Sequence, residues 1–177
     1  MTEPKFKRLL VARFNLLPEL RRRIGYEINM AKAGKEARII LKMNALQDPA
    51  MIDELYKASE AGVKIDLIVR GICCLIPNQP YSRNIRITRI VDSFLEHARV
   101  WYFHHGGKPF LFMGSPDWMR RNLYRRIEAV TPILDEDLKQ QLIDMLAIQL
   151  KDNRKAGWVD ELSLIHISEP TRLRCIS

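Results

Sequence analysis

A run of strand, helix, glycine and strand between residues 37 and 69 restricts the fold more than any other feature. ARIILKM (37–43) is a short β-rich stretch that reads as a buried strand. Asp48-Pro49 supplies a helix cap followed by a first-turn proline. The helix MIDELYKASEA (51–61) then stops at Gly62, and VKIDLIV (63–69) reads as a second buried strand. A crossover of this length joins parallel strands and takes the right-handed sense. The chain is therefore expected to be an α/β protein with this unit at its centre.

The flanking segments extend the sheet. PELRRRIGYEINMAKA (18–33) reads as a helix with Leu20, Ile24, Ile28 and Ala31 on one face, Arg21, Arg22 and Arg23 on the solvated side, and Gly34 as its stop. Residues 85–90 are expected to form a short edge strand and residues 91–96 a short helix. RVWYFHH (99–105) and FLFMG (110–114) look like two antiparallel strands joined by a turn at Gly106-Gly107, with His104 and His105 exposed beside it. RIEAVT (126–131) reads as a further strand. Asp135 caps a last helix whose Leu138, Leu142, Met145 and Leu146 form an apolar stripe. The expected architecture is one mixed sheet flanked by helices.

Lys and Arg number 29 against 21 Asp and Glu, a net charge of +8, which favours anionic partners without choosing among them. No apolar run approaches the ~18 residues of a membrane span, and the N-terminus has no apolar signal core. Three cysteines, two of them adjacent (Cys73 and Cys74), make no disulfide framework; the pair is expected to pack as small apolar side chains. These features predict a cytoplasmic location, with membrane association left open. Neither a phosphate-binding glycine loop nor a zinc motif occurs.

Three places carry phosphate chemistry. Arg70 ends the strand VKIDLIV, at the sheet edge where open α/β sheets bind ligands, and its planar donors match phosphate oxygens. His97 precedes a strand in Glu96-His97-Ala98-Arg99, and Arg99 shares its face if the strand already begins there. MGSPDWMRRNLYRR (113–126) joins a Gly-Ser after a strand to Arg120, Arg121, Arg125 and Arg126, with Arg126 opening the next strand. One histidine, several arginines and a serine at strand ends suit phosphoryl or phosphodiester transfer, with arginine supplying the electrostatic stabilisation.

ILKMNALQDPAMIDELYKASEAGVKIDLIVRGICCLIP, FLEHARVWYFHHGG and GSPDWMRRNLYRRIE resemble the C-terminal part of bacterial polyphosphate kinases. The resemblance covers about residues 5–160. It implies a phospholipase D-like fold, the second of two such domains, with His97-Ala98-Arg99 in the place of a His-x-Lys motif and Gly114-Ser115 following it. It implies that His97 is an active-site histidine, acting as general acid and touching nucleotide phosphate. Arg70 would bind ATP phosphates and Arg126 the polyphosphate or ATP channel; Arg99, Ser115 and Arg121 are further candidate contacts. The same resemblance implies ATP or ADP and polyphosphate as partners, a homo-oligomer, and no specific nucleic acid. The phosphorylated histidine and the Mg2+ ligands are expected in upstream domains of the same protein, so this segment alone is expected to be inactive, with no metal ligand of its own. Arg13 stands where the resemblance implies proline. Two other readings stay open: a phospholipase D-like phosphodiesterase or nuclease, and a non-enzymatic polyanion-binding module.

From Leu162 the chain reads LSLIHISEPTRLRCIS, which resembles a translated sequencing adapter. The expected organisation is therefore a truncated catalytic domain over residues 1–161 and a non-native tail over residues 162–177.

Overall fold

The computed structural model describes residues 6–90, 97–151 and 156–158. The expected helix at 91–96 and the tail at 162–177 lie outside the described residues.

Within that frame the central unit forms as the sequence predicts. Strand β2 (Arg38–Met43), helix α2 (Pro49–Glu60) and strand β3 (Lys64–Val69) make the βαβ crossover, with β2 and β3 parallel and Met43 opposite Val69. The Asp48 carboxylate accepts the Met51 N–H at 3.0 Å, capping α2. At the other end Gly62 has φ of 99°. Its N–H reaches the Ser59 carbonyl while that of Val63 reaches Ala58, a paired closure of the last turn that favours glycine at the left-handed position. Helix α1 (Leu16–Lys32) ends the same way at Gly34, φ 71°.

The described residues form one eight-stranded sheet in the order β1-β7-β6-β5-β2-β3-β4-β8. The remaining strands are β1 (Leu10–Val11), β4 (Ile85–Ile90), β5 (Arg99–Phe103), β6 (Phe110–Gly114), β7 (Ala129–Ile133) and β8 (Ala156–Trp158). Strands β2, β3 and β4 are parallel, and β5, β6 and β7 run antiparallel beside them. Strand β4 is not the edge, because β8 pairs outside it.

Strand alternation sends side chains to two cores. On one face Ile39, Leu41 and Met43 of β2 pack with Leu16, Leu20 and Ile24 of α1 and with Met51, Leu55 and Ala58 of α2. On the other, Ile40, Ile68, Val100 and Leu111 pack against Leu146 of helix α3 (Glu136–Lys151), which Asp135 caps through the Leu138 N–H. Each of these Leu, Ile, Val and Met side chains, fully buried, contributes roughly 1.5–3 kcal/mol. The result is a three-layer sandwich, helix–sheet–helix.

Several local expectations change. Arg23 is buried rather than solvated: its guanidinium lies 3.5 Å from the Phe110 ring centroid and bonds Glu19 at 2.7 Å. Leu138 is exposed and stands outside the buried stripe of α3. Strand β5 stops at Phe103, because His105, Gly106 and Gly107 all take positive φ. Arg13 has φ of 71°, which a proline ring forbids.

Gly114 marks where β6 meets β7 most closely. A Cβ there would stand 2.6 Å from the Ala129 carbonyl oxygen and 2.6 Å from Val130 Cγ2. Gly114→Ala should therefore cost about 1–3 kcal/mol in urea unfolding. Gly25→Ala, inside α1 with nothing within 4 Å of the added carbon, should instead add roughly 1 kcal/mol.

Candidate phosphate site

The site grows from one edge of the sheet. Parallel β2 and β3 end there, β5 begins there, and β6 ends there; Met43 pairs with Val69, Lys42 with Val100, and Arg99 with Gly114. Three loops leaving that edge are stitched by backbone hydrogen bonds. The Gly71 N–H donates to the Asn44 carbonyl at 2.8 Å, leaving no room for a side chain at Gly71, whose Cβ would lie 2.8 Å from that oxygen. Leu46 bonds Ile72 and Cys74 on one side, while the Trp118 carbonyl accepts Gln47 and Asp48 N–H on the other. Trp118 itself is fully buried edge-on against Trp101, centroids 5.8 Å apart.

Asp117 sits where these loops converge. One carboxylate oxygen accepts the N–H groups of Asn44 and Ala45, at 2.7 and 3.1 Å. The same oxygen accepts Arg99 Nε at 3.3 Å and the other accepts Arg99 Nη2 at 2.9 Å. Burial pushes this carboxyl up, but the Arg99 bonds and the two backbone donors outweigh it and hold it below the ordinary aspartate range. Arg99 Nη1 then reaches back to His97, 2.7 Å from Nδ1 and 3.0 Å from its carbonyl oxygen. His97 is exposed and its Nε2 faces no described hydrogen-bond partner. The sequence reading missed Asp117 and Asn44; the Asp after Gly-Ser-Pro, with an arginine two residues beyond the histidine, was the available signal.

The predicted residues divide. Arg70 is half-buried at the tip of β3, and its guanidinium makes no hydrogen bond or ion pair with the described residues; only its backbone is tied, to Met43 and to Arg89. His97 and Arg70 thus share the edge. Arg99 is committed to Asp117 and His97. The Ser115 hydroxyl donates to the Glu128 carboxylate, which also accepts Asn122 Nδ2 at 2.7 Å, so that proton already faces an anion. Arg121, Arg120, Arg125 and Arg126 are exposed. Arg126 does not open a strand: its N–H closes a wide π-type turn (Arg121–Arg125) onto the Arg121 carbonyl, and β7 begins at Ala129, where pairing with β6 becomes available.

Two other predicted groups behave differently. His105 is half-buried and stacks on Tyr26 at 3.9 Å; burial, with Arg23 and Arg22 nearby, pushes it below the ordinary imidazole range. Its N–H and that of Arg38 both donate to the buried Glu27 carboxylate, while His104 meets Tyr102. These groups sit at the Phe103 end of β5, away from Arg99. Cys73 and Cys74 pack against the core as small apolar side chains, and burial pushes the Cys73 thiol up to about 11, a value for an inert thiol. Among the described residues no group of three or more His, Cys, Asp or Glu could hold a metal ion, and no helix is long and apolar enough to cross a membrane.

The family described as polyphosphate kinase C-terminal domain 2 matches residues 9–172. The chain belongs to that family. A polyphosphate kinase of Synechocystis is 49% identical over 152 residues, 85% of this chain but 21% of that protein. The crystal structure of polyphosphate kinase from Porphyromonas gingivalis superposes with a TM-score of 0.90 and 56% identity, over 92% of this chain and 25% of that one. The chain therefore spans about a quarter or less of the length of these polyphosphate kinases. Nuc from Salmonella typhimurium, a phospholipase D family member, matches with a TM-score of 0.58 and 11% identity, covering 86% of this chain and 98% of that one. That likeness concerns the fold alone, which is phospholipase D-like as the sequence implied.

Asp117 gives a pH signature to this polyphosphate kinase domain. Its folded carboxyl lies below the unfolded value, so its contribution is present above that value and is lost as pH falls through the folded one. Asp117→Asn should cost about 1.5–3 kcal/mol at pH 7, the range for hydrogen bonds to a charged group. The gap between the two proteins should close below the ordinary aspartate pKa of about 3.9. Urea titrations at several pH values read both.

Proposed function

We propose that this domain supplies one half of the phosphoryl-transfer site of an ATP-dependent polyphosphate kinase. In that reading the terminal phosphate of ATP passes reversibly to polyphosphate through a phosphohistidine on an upstream domain. The observation that carries it is the placement of His97 and Arg70 on one sheet edge. His97 is held through Nδ1 with Nε2 open, and Arg70 has no carboxylate partner among the described residues.

A guanidinium lying free at a strand tip meets phosphate charge with two parallel N–H donors. A ring N–H presented beside it can steady a bridging or leaving oxygen with a hydrogen bond. Arg126 and Arg121, exposed on the turn before β7, offer further positive charge to a polyanion reaching the edge. Magnesium would screen the nucleotide phosphates. The described residues offer it no cluster of ligands. The phosphodiesterase reading loses its second phosphate-binding cation, since Arg99 already serves Asp117 and His97. ATP and polyphosphate are the proposed small partners, and the upstream domains the proposed protein partner.

Two assays test this. The chain should bind long-chain polyphosphate, and Arg70→Ala should weaken binding about tenfold, equivalent to ~1.4 kcal/mol. Arg21→Ala, on the exposed face of α1, should change it little. Equal losses with equal salt dependence would mean undirected charge attraction instead. Residues 9–158, grafted in place of the matching part of the Porphyromonas gingivalis enzyme, should sustain ATP-dependent polyphosphate synthesis. His97→Ala in that graft should lower the rate by about 10²–10³, the range for losing one hydrogen-bond donor to developing charge.

A further inference from the structure

We infer that Asp117 is a positioning residue that acts through Arg99 to hold the His97 ring with its proton on Nε2. The inference deepens the reading of His97 as the group that meets phosphate, and it rests on that reading for its catalytic meaning.

A guanidinium carries five N–H donors and no acceptor. Four of the Arg99 donors are placed: Nε and Nη2 on the two Asp117 oxygens, and Nη1 on both His97 Nδ1 and the His97 carbonyl. Because Arg99 can only donate, Nδ1 must accept, and the neutral ring carries its hydrogen on Nε2. That tautomer turns a donor outward. It suits a residue that gives a hydrogen bond to a phosphate oxygen as charge develops there. It does not suit a nucleophile attacking through Nε2, whose lone pair would have to be free.

Asp117 makes the arrangement stiff. It is itself anchored by the consecutive N–H groups of Asn44 and Ala45, so the fork of Arg99 is aimed by the backbone of the loop that leaves β2. Arg99 and Asp117 side chains are 12% and 11% exposed, a sheltered pair in which the bonds are screened little by water. The geometry also accounts for arginine rather than lysine at this position. An ammonium is a point charge on a flexible stem, whereas the planar fork can face a carboxylate with one edge and an imidazole with another.

The test uses the 177-residue chain with ¹⁵N-labelled histidine and no nucleotide. Long-range ¹H–¹⁵N correlations report which ring nitrogen of His97 bears hydrogen at a pH where the ring is neutral. A short peptide carrying residues 94–101 gives the unconstrained ratio. In the chain, the Nδ1–H form should be depleted severalfold relative to the peptide. Asp117→Asn keeps an oxygen for the Asn44 and Ala45 N–H groups but removes the charge that fixes Arg99; it should raise the Nδ1–H fraction toward the peptide ratio. Arg99→Met, which leaves the Asp117 loop bonds in place, should raise it at least as far, and it decides the matter if Asp117→Asn fails to fold. A wild-type ratio equal to the peptide's would overturn the inference. So would an Arg99→Met chain whose ratio stays put, or an effect of Asp117→Asn without one of Arg99→Met. In the grafted enzyme, Asp117→Asn should lower kcat with little change in KM for ATP. The ring readout needs no turnover, so a failure of polyphosphate synthesis leaves it standing, and its own failure leaves the synthesis result untouched.

Discussion

Where the chain leaves β2, two consecutive amide groups, those of Asn44 and Ala45, lose the sheet as a partner. Buried N–H groups left unbonded would each cost on the order of 1–3 kcal/mol. Asp117, 73 residues further on, accepts both. Its remaining capacity goes to Arg99, which starts β5. One carboxylate thus joins the parallel half of the sheet to its antiparallel half at the edge where the candidate site lies. The close contact at Gly71 follows from the same crowding, since its neighbour is the Asn44 carbonyl of the loop leaving β2.

The division of labour between the two halves is chemical as well as topological. The parallel half brings Arg70 on the tip of β3, a cation with no internal partner among the described residues. The antiparallel half brings His97 and a cation, Arg99, already neutralised by Asp117. At this edge, among the described residues, a fold shared with a phospholipase D family member thus sets the unpartnered guanidinium of Arg70 beside the internally bonded one of Arg99.

Much of this was legible in the sequence, and the reasons are local. The caps Asp48 and Asp135 and the stops Gly34 and Gly62 act within a few residues of the elements they bound, so the helices fell almost where they were read. The β5–β6 pair was legible from its glycine turn. What escaped depended on contacts distant in sequence. Glu27 carries no local sign of its role, yet its buried carboxylate takes the backbone N–H groups of Arg38 and His105. Arg23 looked like its neighbours Arg21 and Arg22, yet an aromatic ring from β6 lies under it. The start of β7 was misplaced because β7 can pair only from where Gly114 lets it approach. Arg126 therefore falls on the turn instead of the strand. For the site, the chemistry of Arg70 and His97 could be read from position, but the service of Arg99 to Asp117 could not, since nothing nearby in sequence pairs them.

The stitching of the three edge loops has a dynamic consequence. The N–H groups of Asn44, Ala45, Leu46, Gly71, Cys74 and Trp118 all point into bonds that run between loops. None can be released by fraying one loop alone, because each loop is held by the next. Amide exchange at these positions should therefore proceed as one cooperative opening, at a free energy well above that of an ordinary surface loop. The edge that presents His97 and Arg70 behaves as a rigid frame, and motion at the site is left to the side chains mounted on it.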